Sequence, residues 1–193
     1  MFRKKNIKYN ALIRLAIDSG ARRGEIVALR WEDINFSNNT LKIDNSLKVV
    51  KGVLDEKSAK THSSHRIITL SESTIEVLKQ YKLWQDSYIK ELGDKWKGAD
   101  RVFISKFGDY MHPSTCLKIL NKVVNKYNLP HITFHELRHT SASILIHSGI
   151  NPKVVSQRLG HSNSNITLDI YSHAFDVAKE ESAKIFDQIM KKV

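Results

Sequence analysis

The chain has 193 residues, 41% hydrophobic and 26% charged, which fits one substantial globular domain or at most two small ones. Its formal charge of +11, with an isoelectric point near 9.7, favours polyanionic partners, either nucleic acid or an anionic membrane surface. A single cysteine, Cys116, excludes an intramolecular disulfide and a Cys-based zinc cluster and fits a reducing cytosol. No run approaches the ~18 apolar residues of a membrane helix, and "MFRKKNIKYN" lacks the apolar core of a signal peptide, so membrane attachment is set aside.

No internal repeat, low-complexity tract or Pro/Gly/Ser linker interrupts the chain, which reads as one domain. Leu12, Ile13, Ala16 and Ile17 recur at helical spacing, Gly20 stops that helix, and a second short helix starts near Arg22. From Trp31 to Leu70 the period changes. "TLKI", "SLKVV" and "HRIITL" are short, β-branched and partly alternating, and they predict a small antiparallel sheet.

Helices then resume. "SESTIEVLKQYKLWQDSYIKEL" opens on Ser73-x-x-Glu76, a capping-box pattern, and runs to about Gly93. After the strand-like "RVFIS", Pro113 marks the first position of the next helix. "TFHELRHTSASILIHSG" starts with a second capping box, Thr133-x-x-Glu136, and ends at Gly149. "NPKVVSQRLG" carries an Asn cap, Pro152 in its first turn and a closing Gly160. A short segment "NITLDIYSH" follows, and a last helix sets Phe175, Ala178, Ile185, Phe186 and Ile189 on one face. The predicted fold class is α+β, mainly α, with a small sheet of about three antiparallel strands.

"HELRH" matches the H-E-x-x-H pattern of zinc peptidases, with His135 and His139 as ligands and Glu136 as base. The extension that supplies a third ligand is absent, since Ala142 and Leu145 stand in the places of its Gly and His. No Glu occurs between Glu136 and Glu180, and Arg138 puts a fixed cation beside the two imidazoles. Glu136 is also accounted for by the helix cap. The same letters contain H-x-x-R: His135 and Arg138 share a face in the first turns of a helix, whose N-terminal partial charge adds to theirs. The planar fork of an Arg suits two phosphate oxygens.

Upstream stands "SGARRGEIVALRW", and downstream "RLGHSNSNITLDIYSH". With these motifs, from about Tyr9 to Phe175, the chain resembles the catalytic domain of the tyrosine recombinases, the phage integrase family. That pattern is an Arg in a G-x-R-x-[GS]-E turn, a hairpin Lys, H-x-x-R, a His or Trp after L-G, and a Tyr about ten residues on; all five occur here in order. The resemblance implies site-specific DNA recombination through a 3′-phosphotyrosyl intermediate, without metal, ATP or other cofactor.

By the same resemblance Arg22 and Arg138 hold the charge that builds on the phosphate, and Tyr171 is the nucleophile. His135 positions or deprotonates it, and His161 hydrogen-bonds a phosphate oxygen. Lys60, in the "KT" step before the last strand, is the general acid for the leaving 5′-oxygen, with Lys57 nearby as the alternative. Glu25 orients Arg22 or the helix start from behind, and His139 gives packing support.

The resemblance further implies double-stranded DNA as partner, a homotetramer on DNA for the full-length enzyme, a monomer for the isolated domain, and accessory proteins of the host or the mobile element. The place of action is the cytoplasm of a bacterial host. Residues 1–193 are expected to be the catalytic domain alone, a fragment without the core-binding and arm-binding domains of the family. The last helix packs on its own domain or on a neighbour. Other readings are a type IB topoisomerase-like activity and a catalytically silent DNA-binding protein; the zinc peptidase is disfavoured.

Overall fold

In the computed structural model, which describes residues 4–58, 65–98 and 100–160, the core forms around the first helix, α1 (Lys4–Ser19). Ala11, Leu12, Leu15 and Ala16 of α1 are buried, at the helical spacing read from the sequence. Gly20 ends α1 with φ of 60°, a left-handed conformation that costs glycine little. A Cβ there would lie 2.3 Å from Leu159 and 3.1 Å from Ser141, so Gly20 also lets two later helices pack against this turn.

Helix α2 (Arg23–Ala28) follows, and after a 3₁₀ turn at Trp31–Asp33 come β1 (Ile34–Asn35) and β2 (Thr40–Ile43). The chain then forms a hairpin, β3 (Asn45–Val50) and β4 (Val53–Ser58), before β5 (Arg66–Thr69). β2 pairs with both β1 and β5, giving a three-stranded antiparallel sheet, while β3 and β4 pair only with each other. The three-stranded sheet matches the expectation, but "SLKVV" sits outside it. Its partner "VLDEKS" went unread because Asp, Glu and Lys are depleted in strands. The turn between them has Lys51 and Gly52 at φ of 48° and 81°, the type I′ geometry that suits the twist of a hairpin.

Helix α3 (Glu72–Leu92) begins two residues earlier than its predicted box: Ser71, not Ser73, is the cap and accepts from the Thr74 N–H. Ser71 also donates to Asp18 at 2.7 Å, and that contact with α1 fixes where the helix starts. The strand-like "RVFIS" forms only an isolated bridge between Ile104 and Tyr110. Val102, Phe103 and Ile104 are wholly buried there, so their apolar run reflects burial rather than pairing. Helices α4 (Pro113–Lys126), α5 (Phe134–His147) and α6 (Pro152–Leu159) carry the expected Pro113, Thr133/Glu136 and Asn151/Gly160 signals. The readings of "NITLDIYSH" and the last helix lie outside the described residues.

Two clusters hold the frame. Tyr81 of α3 stacks on Phe103 and Trp84, at 5.6 Å each, and lies 5.9 Å from Trp31, a contact set that ties α3 to the chain after α2. Ala142, Ile146, Val155 and Leu159 join α5 to α6. A buried guanidinium fastens the hairpin: Arg101 donates to both Glu56 oxygens, at 3.0 and 2.6 Å, and to the Tyr110 hydroxyl at 2.9 Å.

Gly24 sets how closely β3 lies on α2. A Cβ at this position would come 2.6 Å from the Ser46 hydroxyl and 2.7 Å from the Leu47 carbonyl. Gly24→Ala is therefore expected to push β3 outward and to cost about 1–3 kcal/mol in urea unfolding; an unchanged midpoint would show that β3 yields freely.

Candidate functional site

The turn between α1 and α2, the edge of β3 and the start of α5 enclose a groove of about 750 Å³. Arg22, Arg23, Lys48, Thr133, His135 and Arg138 line it, and no carboxylate does among the described residues. The groove is thus a concentration of positive charge with the N-terminus of α5 at its wall, where the partial positive charge of the helix end favours an anion.

Arg138 is the buried member. It is 3% exposed, and its Nη1 donates to the Gly20 carbonyl at 2.8 Å. Among the described residues its Nη2 is buried without an acceptor. Burial first, then Arg22 and Arg66, push this guanidinium down to about 9, with Glu25 pulling the other way. A buried cation with a free donor is under-compensated, and an arriving anion relieves both deficits.

Arg22 is the open member, with 44% of its side chain exposed. Its Nη1 meets Glu25 at 3.0 Å and its Nη2 donates to the Gly160 carbonyl at 2.9 Å. Glu25 also accepts the backbone N–H of Arg22 at 2.7 Å, which caps α2 with a carboxylate at its positive end. Burial alone would raise the Glu25 carboxyl, but hydrogen bonds and charge from Arg66 and Arg22 hold it below its ordinary value.

His135 projects from the first turn of α5, its ring in edge-on contact with His139 at 4.7 Å. Burial, then His139, Arg138 and Arg22, lower its pKa, so its neutral, proton-accepting form is favoured. Glu136 accepts the Thr133 N–H at 2.5 Å while Thr133 accepts the Glu136 N–H at 3.3 Å. The acid of the H-E-x-x-H match therefore serves as a helix cap. Among the described residues no group of three His, Cys, Asp or Glu is placed to hold a metal.

The structure brings Arg22, Glu25, His135, Arg138 and His139 together. Lys60, His161 and Tyr171 lie outside the described residues. Lys57 is described: it ends on Asp55 at 3.3 Å and does not itself line the groove, although it pairs across the hairpin with Ser46, which does. Two participants escaped the sequence reading. Lys48 of β3 lines the groove, and Arg66 of β5 makes a two-pronged ion pair with Glu25, at 2.7 and 3.2 Å. The signal for Arg66 was available: with Ile68 facing the core, strand alternation puts residue 66 on the same face, where an Arg requires a buried acid.

A helical frame with a small sheet and a basic groove at this turn is that of a tyrosine recombinase catalytic domain. Residues 2–177 match the sequence model described as the phage integrase family, and the chain belongs to that family. It is 32% identical over 96% of its length to a protein named tyrosine recombinase XerC-like from Caldanaerobacter subterraneus subsp. tengcongensis, covering 50% of that protein. It is 31% identical over 90% of its length to the transposase of transposon Tn916 from Enterococcus faecalis, covering 44% of it. Among solved structures, the Tn1549 transposon integrase in complex with circular intermediate DNA superposes with a TM-score of 0.77 at 27% identity, over 92% of this chain and 60% of that one. The chain spans about half the length of the curated relatives it matches.

The Glu25 geometry sets a pH dependence. Its folded pKa lies below the unfolded value of about 4.3, so its stabilisation is full above that value and is lost as pH falls through the folded pKa. Glu25→Gln is expected to lower unfolding free energy by about 3 kcal/mol at pH 7, and the gap should shrink below pH ~4. Equal gaps at pH 7 and pH 3 in urea titrations would contradict this assignment.

Proposed function

We propose that this domain cleaves and rejoins DNA as the catalytic domain of a site-specific recombinase, through a 3′-phosphotyrosyl intermediate formed without metal or ATP. The observation that carries the reading is the buried Arg138, its Nη2 free of any acceptor among the described residues, beside Arg22 in a groove without carboxylates. A DNA phosphodiester is the ligand that such a pair suits: its two non-bridging oxygens match the planar forks, and its charge compensates the buried cation.

In this reading the Tyr171 hydroxyl oxygen attacks the scissile phosphorus. The P–O5′ bond breaks, the 3′ end stays on the tyrosine, and the 5′-oxygen leaves as a hydroxyl. Arg22 and Arg138 hold the non-bridging oxygens as charge builds on them. His135, favoured neutral, accepts or orients the tyrosine proton; Lys60 supplies the proton to the leaving oxygen; and His161 donates to a phosphate oxygen. Glu25 aims Arg22, and His139 supports the His135 ring. Rejoining reverses these steps with a 5′-hydroxyl as attacking group.

The partner is double-stranded DNA, a reading supported by the solved complex of the Tn1549 integrase with circular intermediate DNA. Paired cleavages on two duplexes call for a homotetramer on DNA, acting in the cytoplasm of a bacterial host with accessory proteins of host or element. No helix among the described residues is long and apolar enough to cross a membrane.

The test is a duplex carrying the recombination site with a nick beside the scissile phosphate, so that the released 5′ fragment diffuses away. The protein should become covalently attached to the 3′ end in the presence of EDTA, and Tyr171→Phe should not. Arg138→Ala and Arg22→Ala should each slow attachment by about 10²–10³. Attachment by Tyr171→Phe would remove Tyr171 as nucleophile, and attachment that stops with EDTA would remove the metal-free mechanism. Relaxation of plasmid lacking any specific site would move the reading to a type IB topoisomerase-like activity.

A further inference from the structure

Arg66 stands at a junction to which the proposed chemistry assigns no role. It is the first residue of β5, and its side chain, like that of Glu25, is 6% exposed, which leaves it no direct contact with DNA. Its three nitrogens point two ways. Nη1 and Nη2 grip the Glu25 carboxylate, at 3.2 and 2.7 Å, while Nε donates to the Arg158 carbonyl at 2.8 Å.

That carbonyl belongs to the last turn of α6, where helix geometry leaves C=O groups without intrahelical donors. A second such group, that of Gly160, is taken by Arg22 Nη2 at 2.9 Å. Arg158 closes the assembly from outside: Nη1 donates to the Thr69 carbonyl at 2.8 Å, and Nη2 to the Asp18 carbonyl at 2.8 Å and carboxylate at 3.1 Å. The end of α6 is therefore stitched to β5, to α1 and, through Arg22 and the Glu25–Arg66 pair, to the start of α2.

We propose that Arg66 is a positioning residue for strand transfer: it fixes the Glu25 carboxylate that aims Arg22 and, through the Arg158 carbonyl, the end of α6 beside it. The proposal rests on the recombinase reading above, in which His161 follows directly on that helix end in the sequence. Only a guanidinium serves. Its planar fork takes both carboxylate oxygens while Nε donates along a third direction, whereas a lysine ammonium is a single point with no fixed fork.

Arg66→Lys keeps the charge, and is the variant expected to fold; Arg66→Gln removes it. Three quantities separate positioning from stability alone: the dissociation constant for the site duplex, the single-turnover rate of covalent attachment to the nicked substrate, and hydrogen exchange of the DNA-free protein. Arg66→Lys should keep its dissociation constant within about threefold while attachment slows by about 10², and Arg66→Gln should be slower still. Amides at residues 22–25 and 156–160 should exchange faster in both. Leu78→Ala, a truncation in the α1–α3 core, serves as control and should retain more than a tenth of the rate at a comparable loss of melting temperature.

Wild-type attachment by folded Arg66→Lys, a loss of rate equal to that of the control, or a loss explained wholly by weaker DNA binding would overturn the proposal. Unchanged exchange at residues 22–25 and 156–160 would overturn it without reference to any reaction. If the exchange loosens as stated but the wild type forms no adduct, the junction stands and the recombinase reading falls.

Discussion

A carboxylate with almost no access to water organises this domain. Glu25 accepts four hydrogen bonds: from the backbone and the side chain of Arg22, and from both terminal nitrogens of Arg66. Two cations held around one acid would repel each other without it, and the acid would be expensive to bury without them. The arrangement holds only as a set, so the start of α2, the start of β5 and the end of α6 occupy fixed places relative to one another. The backbone cooperates, since Gly24 lets β3 lie against α2 and Gly20 lets α5 and α6 pack on the preceding turn.

The groove gains its character from what that set leaves uncompensated. Glu25 partly neutralises Arg22 and Arg66, but Arg138 is buried with a single carbonyl partner among the described residues. Its lowered pKa expresses the same imbalance. His135, in the same field, is held toward its neutral form. A site that is poor in anions when empty, with its donors fixed beforehand, is suited to bind a phosphodiester and to stabilise it more as charge builds during displacement. The preorganisation comes from packing and from Glu25, so it exists before any DNA arrives.

Much of this was legible in the sequence because the signals are local. Capping residues and terminal glycines placed α5 and α6, since each reports a hydrogen bond made within one turn. "GARRGE" and "HELRH" identified the residues of the groove because the motif fixes their order. What escaped depends on contacts between distant segments. Strand alternation turns Arg66 inward, but the acid that answers it lies 41 positions away, and no local pattern names that partner. Ser71 caps α3 in place of Ser73 because Asp18 of α1 fixes it there. "RVFIS" read as a strand because burial and β-pairing select the same residues; here Phe103 serves the aromatic stack. The competing metal reading of "HELRH" fades once Glu136 is seen capping α5.

We assign to Arg138, buried with an Nη2 donor unanswered among the described residues, the compensation of charge on the scissile phosphate. It is tested most directly by comparing covalent attachment to a normal phosphate and to a charge-neutral methylphosphonate at the same position. On phosphate, Arg138→Ala should be slower than wild type by at least ~10². On the methylphosphonate, which has no charge to balance, wild type and Arg138→Ala should differ by less than about tenfold, the equivalent of ~1.4 kcal/mol. An equal loss on both substrates would show that Arg138 supports the fold rather than the phosphate and would contradict the account.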